Sequence, residues 1–298
     1  MDFIKGLNSN SSLASTLSYH ELLMGDYRYF SSYTQQIDKV SAADIQQAAM
    51  KYLTEQNRTV AVLKKESKQP QKEMIEKDIS FLSAVHKAIG HYETPYTRNG
   101  KIPYYFDANG RYESKTTLLR LLDHARKIGA FDQIAIIEEP FPEEIEDDVS
   151  DIPVRLAADE SAHTTDDAIR RIEMGYGAIA LKAIAKTLSM TLKIAQAAYE
   201  RKVPCFCADL TVNPVLVEWN KNMAARLSTF TGLGNLGLVE SNGHQTYRNW
   251  EKMKQYLLDP KAPWIEVEKG VYRTNADYFR EGGGIFRESL HYETLLKR

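Results

Sequence analysis

Residues 134–142 read IAIIEEPFP: four apolar residues run into two adjacent acids, and a proline stops the run. A continuous apolar run of this length, without polar alternation, is the pattern of a strand buried on both faces. Such strands belong to parallel sheets covered by helices. The acids then mark the point where the strand leaves the core.

Working outward, the same texture repeats. KIPYYFD (101–107) reads as a strand, and ESKTTLLRLLDHARKIG (113–129) as an amphipathic helix closed by Gly129. QIAIIEE (133–139) is the next strand, and the acidic segment 143–149 is expected to be a short helix. The strands PVRLAAD (153–159), AIALK (178–182), VPCFCAD (203–209) and LGLVES (236–241) follow. Their helices are 164–175 with Thr164 or Thr165 as cap, 187–202, 213–228 with a proline in its first turn, and 247–258. Six strand–helix alternations with short connections call for a parallel sheet with helices outside it. The fold class is α/β, a (β/α) TIM-type barrel, incomplete, with an N-terminal helical segment.

That N-terminal segment has a different character. Residues 11–54 read as helical, with Ser41 capping a helix that places Ile45, Ala48, Ala49 and Leu53 on one stripe. NRTVAVLKK (57–65) alternates like a short strand. The division is therefore 1–65, a linker or helix start over 66–78, and the barrel domain over 79–298.

Composition narrows the function. Hydrophobic residues make up 43% and charged residues 26% of the 298, ordinary values for a soluble globular protein. A formal net charge of −2 gives no reason to expect nucleic acid or an anionic membrane as partner. No apolar run is long enough to span a bilayer, and the N-terminus lacks the features of a signal peptide, so a cytoplasmic protein is expected. Cys205 and Cys207 share one face of a strand and read as reduced thiols.

Each strand ends on a polar residue: Asp107, Glu138 with Glu139, Asp159, Lys182, Asp209 and Glu240. The first three gaps are 31, 21 and 23 residues, the length of one strand–helix unit. Residues so far apart in sequence would stand side by side at the C-terminal rim of a barrel, where such folds carry their chemistry. Three neighbouring rim carboxylates suit a hard divalent cation, and Mg²⁺ is the expected cofactor.

These motifs carry a resemblance. YYFDANGRY, IAIIEEPFP, LAADES and AIALK look like successive strand-end motifs of the enolase superfamily, over roughly 73–298. More narrowly they resemble its mandelate racemase and muconate-lactonizing group, including the dipeptide epimerases. The resemblance implies that Asp107, Glu138 and Asp159 are metal ligands, that Lys182 is the acid/base, and that Glu240 helps hold a substrate carboxylate. Glu139 is read as supporting the ligands rather than joining them. The implied reaction is removal of a proton α to a carboxylate through an enediolate, with a small carboxylate as substrate. A lysine or histidine base working with Mg²⁺ is an established pattern of that superfamily.

The chain also departs from the pattern. Family members carry a K-x-K motif on the second barrel strand, and here VAVLKKESK has adjacent Lys64 and Lys65 with Lys68 beyond a polar stretch, so Lys64 is the best stand-in for a second base. The family's N-terminal capping domain has no counterpart, and the barrel lacks room for its full first unit. A homo-oligomer or a partner chain would then complete it. Instead of a cap, the segment LASTLSYHELLMGDYRYFSSYTQQIDKVSAADIQQAAMKYLTEQNRTVAVLKK resembles the closing part of an insulinase-type (pitrilysin) metallopeptidase domain, without that family's zinc motif. An inactive truncated or fused barrel is the alternative. Asp209 is assigned to substrate orientation or to capping the next helix. Lys186 reads as an ordinary loop residue.

Overall fold

The computed structural model describes residues 16–18, 20–22, 25–52, 71–208, 211–234 and 236–297. Two compact units divide between residues 67 and 68. In the first, α1 (Tyr29–Ile37) and α2 (Ala42–Tyr52) are the helices with full bounds. Ser41 begins α2 as expected, exchanging hydrogen bonds with Asp44 in the manner of a capping box. The strand expected over 57–65, with Lys64, lies outside the described residues.

The second unit opens with α3 (Gln71–Ile89), so the stretch 66–78 resolves at its C-terminal end into helix rather than linker. The strands are β1 (Tyr104–Asp107), β2 (Ile134–Glu138), β3 (Leu156–Ala158), β4 (Ala178–Leu181) and β5 (Cys205–Cys207). They form one parallel sheet in chain order. The intervening helices are α4 (Lys115–Ile128), α5 (Thr165–Glu173), α6 (Leu188–Glu200) and α7 (Pro214–Ala224). This is the incomplete (β/α) barrel the sequence calls for. No helix among the described residues is long and apolar enough to cross a membrane.

Local chemistry sets the helix ends. Ser114, Thr164, Thr187 and Asn213 each accept a backbone N–H of the first turn of α4, α5, α6 and α7. Each such cap contributes about 1 kcal/mol. Gly129 closes α4 in the left-handed conformation, φ 78°. The buried face of α4 is Leu118, Leu121, Leu122 and Ala125, the spacing that puts four side chains on one stripe.

The sheet sorts its side chains by alternation. Outward residues, among them Tyr104, Ile137, Leu156, Ile179 and Cys205, join a core with the helices. Inward residues Ile136, Ala157, Ala178, Ala180, Phe206 and Ala208 form a second core with Phe230 and Leu233. The alanines leave room for those aromatic rings. Tyr105 of β1 meets Phe206 of β5 at 5.7 Å between ring centroids, so the sheet curls until its first and last strands touch through side chains. Both cysteines are free and buried, and burial pushes each thiol up to about 12.

Three expected elements differ. Residues 143–149 are turns and extended chain, not helix. Five acids crowd the segment, and Arg171 takes the carbonyls of Glu143 and Ile145 that a helix would need. The strand over 236–241 shrinks to one parallel bridge, Cys207 with Val239, because the preceding turns carry Phe230 and Leu233 into the barrel interior. The helix over 247–258 contracts to Trp250–Lys254, which starts at Asn249 without a side-chain cap.

Gly175 tests the packing between units of the barrel. Its φ is 103°, and a Cβ there would lie 2.5 Å from the backbone nitrogen of Ser150. Gly100 also has a positive φ, 71°, but faces open space. Gly175→Ala should lose about 2–4 kcal/mol in urea unfolding, and Gly100→Ala about 1 kcal/mol. Equal losses would show that the contact with Ser150 is not a constraint.

Candidate active site

Alternation and register bring the strand-end residues together. Asp107 and Glu138 are Cα partners across β1 and β2, and Glu138 faces Ala157 across β2 and β3. Asp107, Glu138, Asp159 and Lys182 continue the inward-facing set Tyr105, Ile136, Ala157 and Ala180 by two residues each, so all four stand on the inner side of the rim.

Glu138 and Asp159 are buried, at 1% and 2% exposure. Hydrogen bonding toward Asp159 favours the protonated Glu138 carboxyl. Burial, that bond, and the charges of Asp159 and Glu240 push Glu138 up to about 10, and Lys182 draws it back only in part. The Lys182 ammonium contacts the Asp159 carboxylate and lies 3.3 Å from Glu160 Oε1. Burial opposes its charge, but hydrogen bonds and charges from Asp159 and Glu160 outweigh that and raise its pKa. Lys182 is thus held as an ammonium.

Glu139 supports this pair, as its sequence position implied. Its Oε2 accepts the Asp159 N–H at 2.7 Å, the Ser161 N–H at 3.2 Å and the Ser161 hydroxyl at 3.0 Å. One carboxylate oxygen therefore fixes the turn that carries Asp159. The reach requires φ 35° at Glu139, a left-handed conformation that non-glycine residues adopt at a cost of about 1–2 kcal/mol.

Sequence reasoning missed Lys186. It is largely buried, and its ammonium donates to the carbonyls of Asp159 at 3.1 Å and Ala162 at 2.9 Å. It also stands 3.9 Å from Asp159 Oδ1. Burial lowers its pKa. The signal available was its spacing of four from Lys182, which reads equally well as a solvated loop.

Asp107 behaves differently from its neighbours. It is exposed, and its two oxygens accept from the backbone N–H and side-chain amide of Asn109, at 2.9 and 2.7 Å. This is an Asx-type turn. Among the described residues no three His, Cys, Asp or Glu side chains form a group that could hold a metal ion. Glu138 Oε2 and Asp159 Oδ1 are nevertheless buried without a hydrogen-bond partner. Two crowded carboxylates with orphaned oxygens fit a hard cation. Asp107 fits once it leaves its turn. Glu240 donates its backbone N–H to the Cys207 carbonyl at 2.9 Å, beside the rim. Asp209 and Lys64 lie outside the described residues.

A curled parallel α/β sheet with acids and lysines on its inner C-terminal rim defines a class of barrel domain. The chain belongs to the enolase C-terminal domain-like family, whose model matches residues 44–276. The match begins within α2, earlier than the strand-end motifs alone indicate. Among solved structures, the chain is similar to a mandelate racemase/muconate lactonizing protein from Herpetosiphon aurantiacus, with 20% identity and a TM-score of 0.46. It is similar also to a dipeptide epimerase from Enterococcus faecalis, crystallised with Mg and the dipeptide L-Leu-L-Tyr, with 19% identity and a TM-score of 0.45. Each alignment covers 56% of this chain and 44% of the other, so the chain spans less than half the length of these two proteins. No curated protein matches it.

The raised pKa of Glu138 has a sign that can be checked. The folded state favours the protonated acid, so its contribution is full below the ordinary value of 4.5 and is lost as pH rises toward about 10. In chelator-treated protein, denaturant stability should fall across that window, and Glu138→Gln should flatten the slope. An unchanged slope in the variant would assign the dependence to another group.

Proposed function

We propose that this chain removes a proton α to the carboxylate of a small substrate, in a racemase or epimerase reaction, with Mg²⁺ as cofactor and a dipeptide as the first substrate class to try. The observation that carries the reading is the Lys182 ammonium against Asp159 beside Glu138, with a buried, unpartnered oxygen on each acid. Glu138 and Asp159, joined by Asp107, would hold the cation. Bound there, it would supply electrostatic stabilisation of the second negative charge that builds on a substrate carboxylate as the α-proton leaves.

The chain's own residues do the rest. Lys182 faces the rim interior and exchanges the proton. To act as a base it must part from Asp159, which in the present arrangement keeps it protonated. Glu139 holds the Asp159 turn still while partners change. Lys186 stays anchored on the carbonyls of the same turn and adds positive charge beside Asp159. Glu240 and Asp209 are assigned to the substrate side, and Lys64 to the opposite face as a second base. The Asx turn at Asp107 favours a second reading, a chain that binds metal or a partner without turnover.

Two measurements separate these. Calorimetric titration with Mg²⁺ should show one site in the wild type and none in Glu138→Gln. A dipeptide panel in deuterated buffer should show Mg²⁺-dependent loss of α-proton signal by NMR, reduced about 10²–10⁴-fold in Lys182→Ala. Metal binding without exchange would favour the second reading. Absence of metal binding by the folded wild type would sink the reaction proposed.

A further inference from the structure

The opposite ends of the strands hold a feature that the proposed chemistry does not use. A cleft of about 630 Å³ opens at the N-terminal starts of β1, β2 and β3. With β2 five residues long, the cleft lies about 13 Å along the strand from Glu138. Arg98, Arg155 and Asp132 line it, together with apolar walls from Phe131, Val154 and Leu233.

Its two arginines differ from most others described. Arg120 holds Glu76, Arg170 holds Glu146, and Arg171 and Arg226 hold backbone carbonyls. Arg98 and Arg155 have no ion pair and no side-chain hydrogen bond among the described residues. Arg155 is half-buried. Its aliphatic stem passes Gly177, where a Cβ would lie 3.2 Å from Arg155 Cγ, and its guanidinium sits 5.1 Å from the Phe230 ring centroid. Desolvation lowers its pKa with no neighbouring charge to compensate. Arg98 is exposed, at the mouth. Asp132 is the acid of the lining and pairs with neither arginine.

A guanidinium stacked on an aromatic ring keeps its planar edge of donors free, and that edge matches a carboxylate or phosphate group. Two unmatched guanidinium groups in an apolar-walled cleft of ligand size have the make-up of an anion site. We propose that this cleft binds a small organic oxyanion, a carboxylate or phosphate group on an apolar body, gripped by Arg155 within and Arg98 at the mouth. The site goes beyond the proton-abstraction reading and does not depend on it.

The test is calorimetry on the full chain with phenyl phosphate, phenylacetate and neutral phenol as probes, at low salt and at about 0.15 M. Saturable binding of at least one anionic probe, weaker at the higher salt and absent for phenol, is expected, and the preferred anion names the source. Arg98→Gln and Arg155→Gln should each weaken binding about tenfold, and Asp132→Asn should tighten it severalfold by removing an opposing charge. Arg155 packs on Phe230, so thermal melts accompany that variant, and exposed Arg98 provides the measurement that leaves the core untouched. No saturable binding of either anion, equal binding of phenol, or affinity unchanged by both arginine substitutions overturns the proposal. Weaker binding in Asp132→Asn overturns it as well.

Discussion

Two carboxylates one strand apart are buried at the rim, and the surrounding structure answers the problem they create. Taking an ionised carboxylate out of water carries a penalty of several kcal/mol, and a second beside it adds repulsion. Glu138 and Asp159 have no freedom to avoid this, because the alternation that sends Ile136 and Ala157 inward sends them inward too. The chain responds with a Glu138 that favours its protonated form, with Lys182 on Asp159, and with Glu139 gripping the backbone of the Asp159 turn. The left-handed backbone at Glu139 is the strain that grip entails. Adjacent acids in IEEP therefore have opposite tasks: Glu138 points into the barrel, and Glu139 reaches sideways to the next strand end.

Small inward residues make this geometry attainable. Ala157, Ala178, Ala180 and Ala208 let the sheet close around Phe206 and Phe230, and Tyr105 reaches Phe206 from the far strand. Larger residues at the alanine positions would overfill that interior and push the strand ends apart. The spacing of the rim groups is thus set by residues below them that have no polar chemistry. The same interior gives Arg155 the ring on which it stacks, so one aromatic layer serves both ends of the sheet.

Most of this architecture was legible in the chain, because buried parallel strands leave continuous apolar runs and their helices leave caps. Thr164, Gly129 and the first-turn Pro214 stand where the pattern puts them. Legibility failed where a local pattern met a tertiary competitor. Residues 143–149 have acids enough for a helix start, but Arg171 holds their carbonyls. The run LGLVES is apolar enough for a strand, but turns that seat Phe230 and Leu233 leave it only the bridge at Val239. Within the rim, spacing alone located Glu138, Asp159 and Lys182. Asp107 carried two messages, a strand end and an Asp-x-Asn turn, and its side chain obeys the second. Lys186 was opaque because the carbonyls that bury it, those of Asp159 and Ala162, come from another loop.

The two lysines that follow β4 answer the same carboxylate in different ways. Both flank Asp159, yet their pKa values move apart: Lys182 rises on direct contact with the carboxylate, and Lys186, which meets mainly neutral carbonyls, falls with burial. A positive charge arriving at Asp159 and Glu138 would compete with Lys182 for the same carboxylate. It would also favour ionisation of Glu138, since an added cation stabilises both carboxylates. Lys182 would then lose the interaction that keeps it protonated while remaining desolvated, and both changes act in the direction of a base. Lys186, bound to backbone carbonyls rather than to the contested carboxylate, would stay in place. On the proposed reading the acid pair and Lys182 would act as a single coupled unit, and a cation at Asp159 would decide whether Lys182 holds its proton or gives it up.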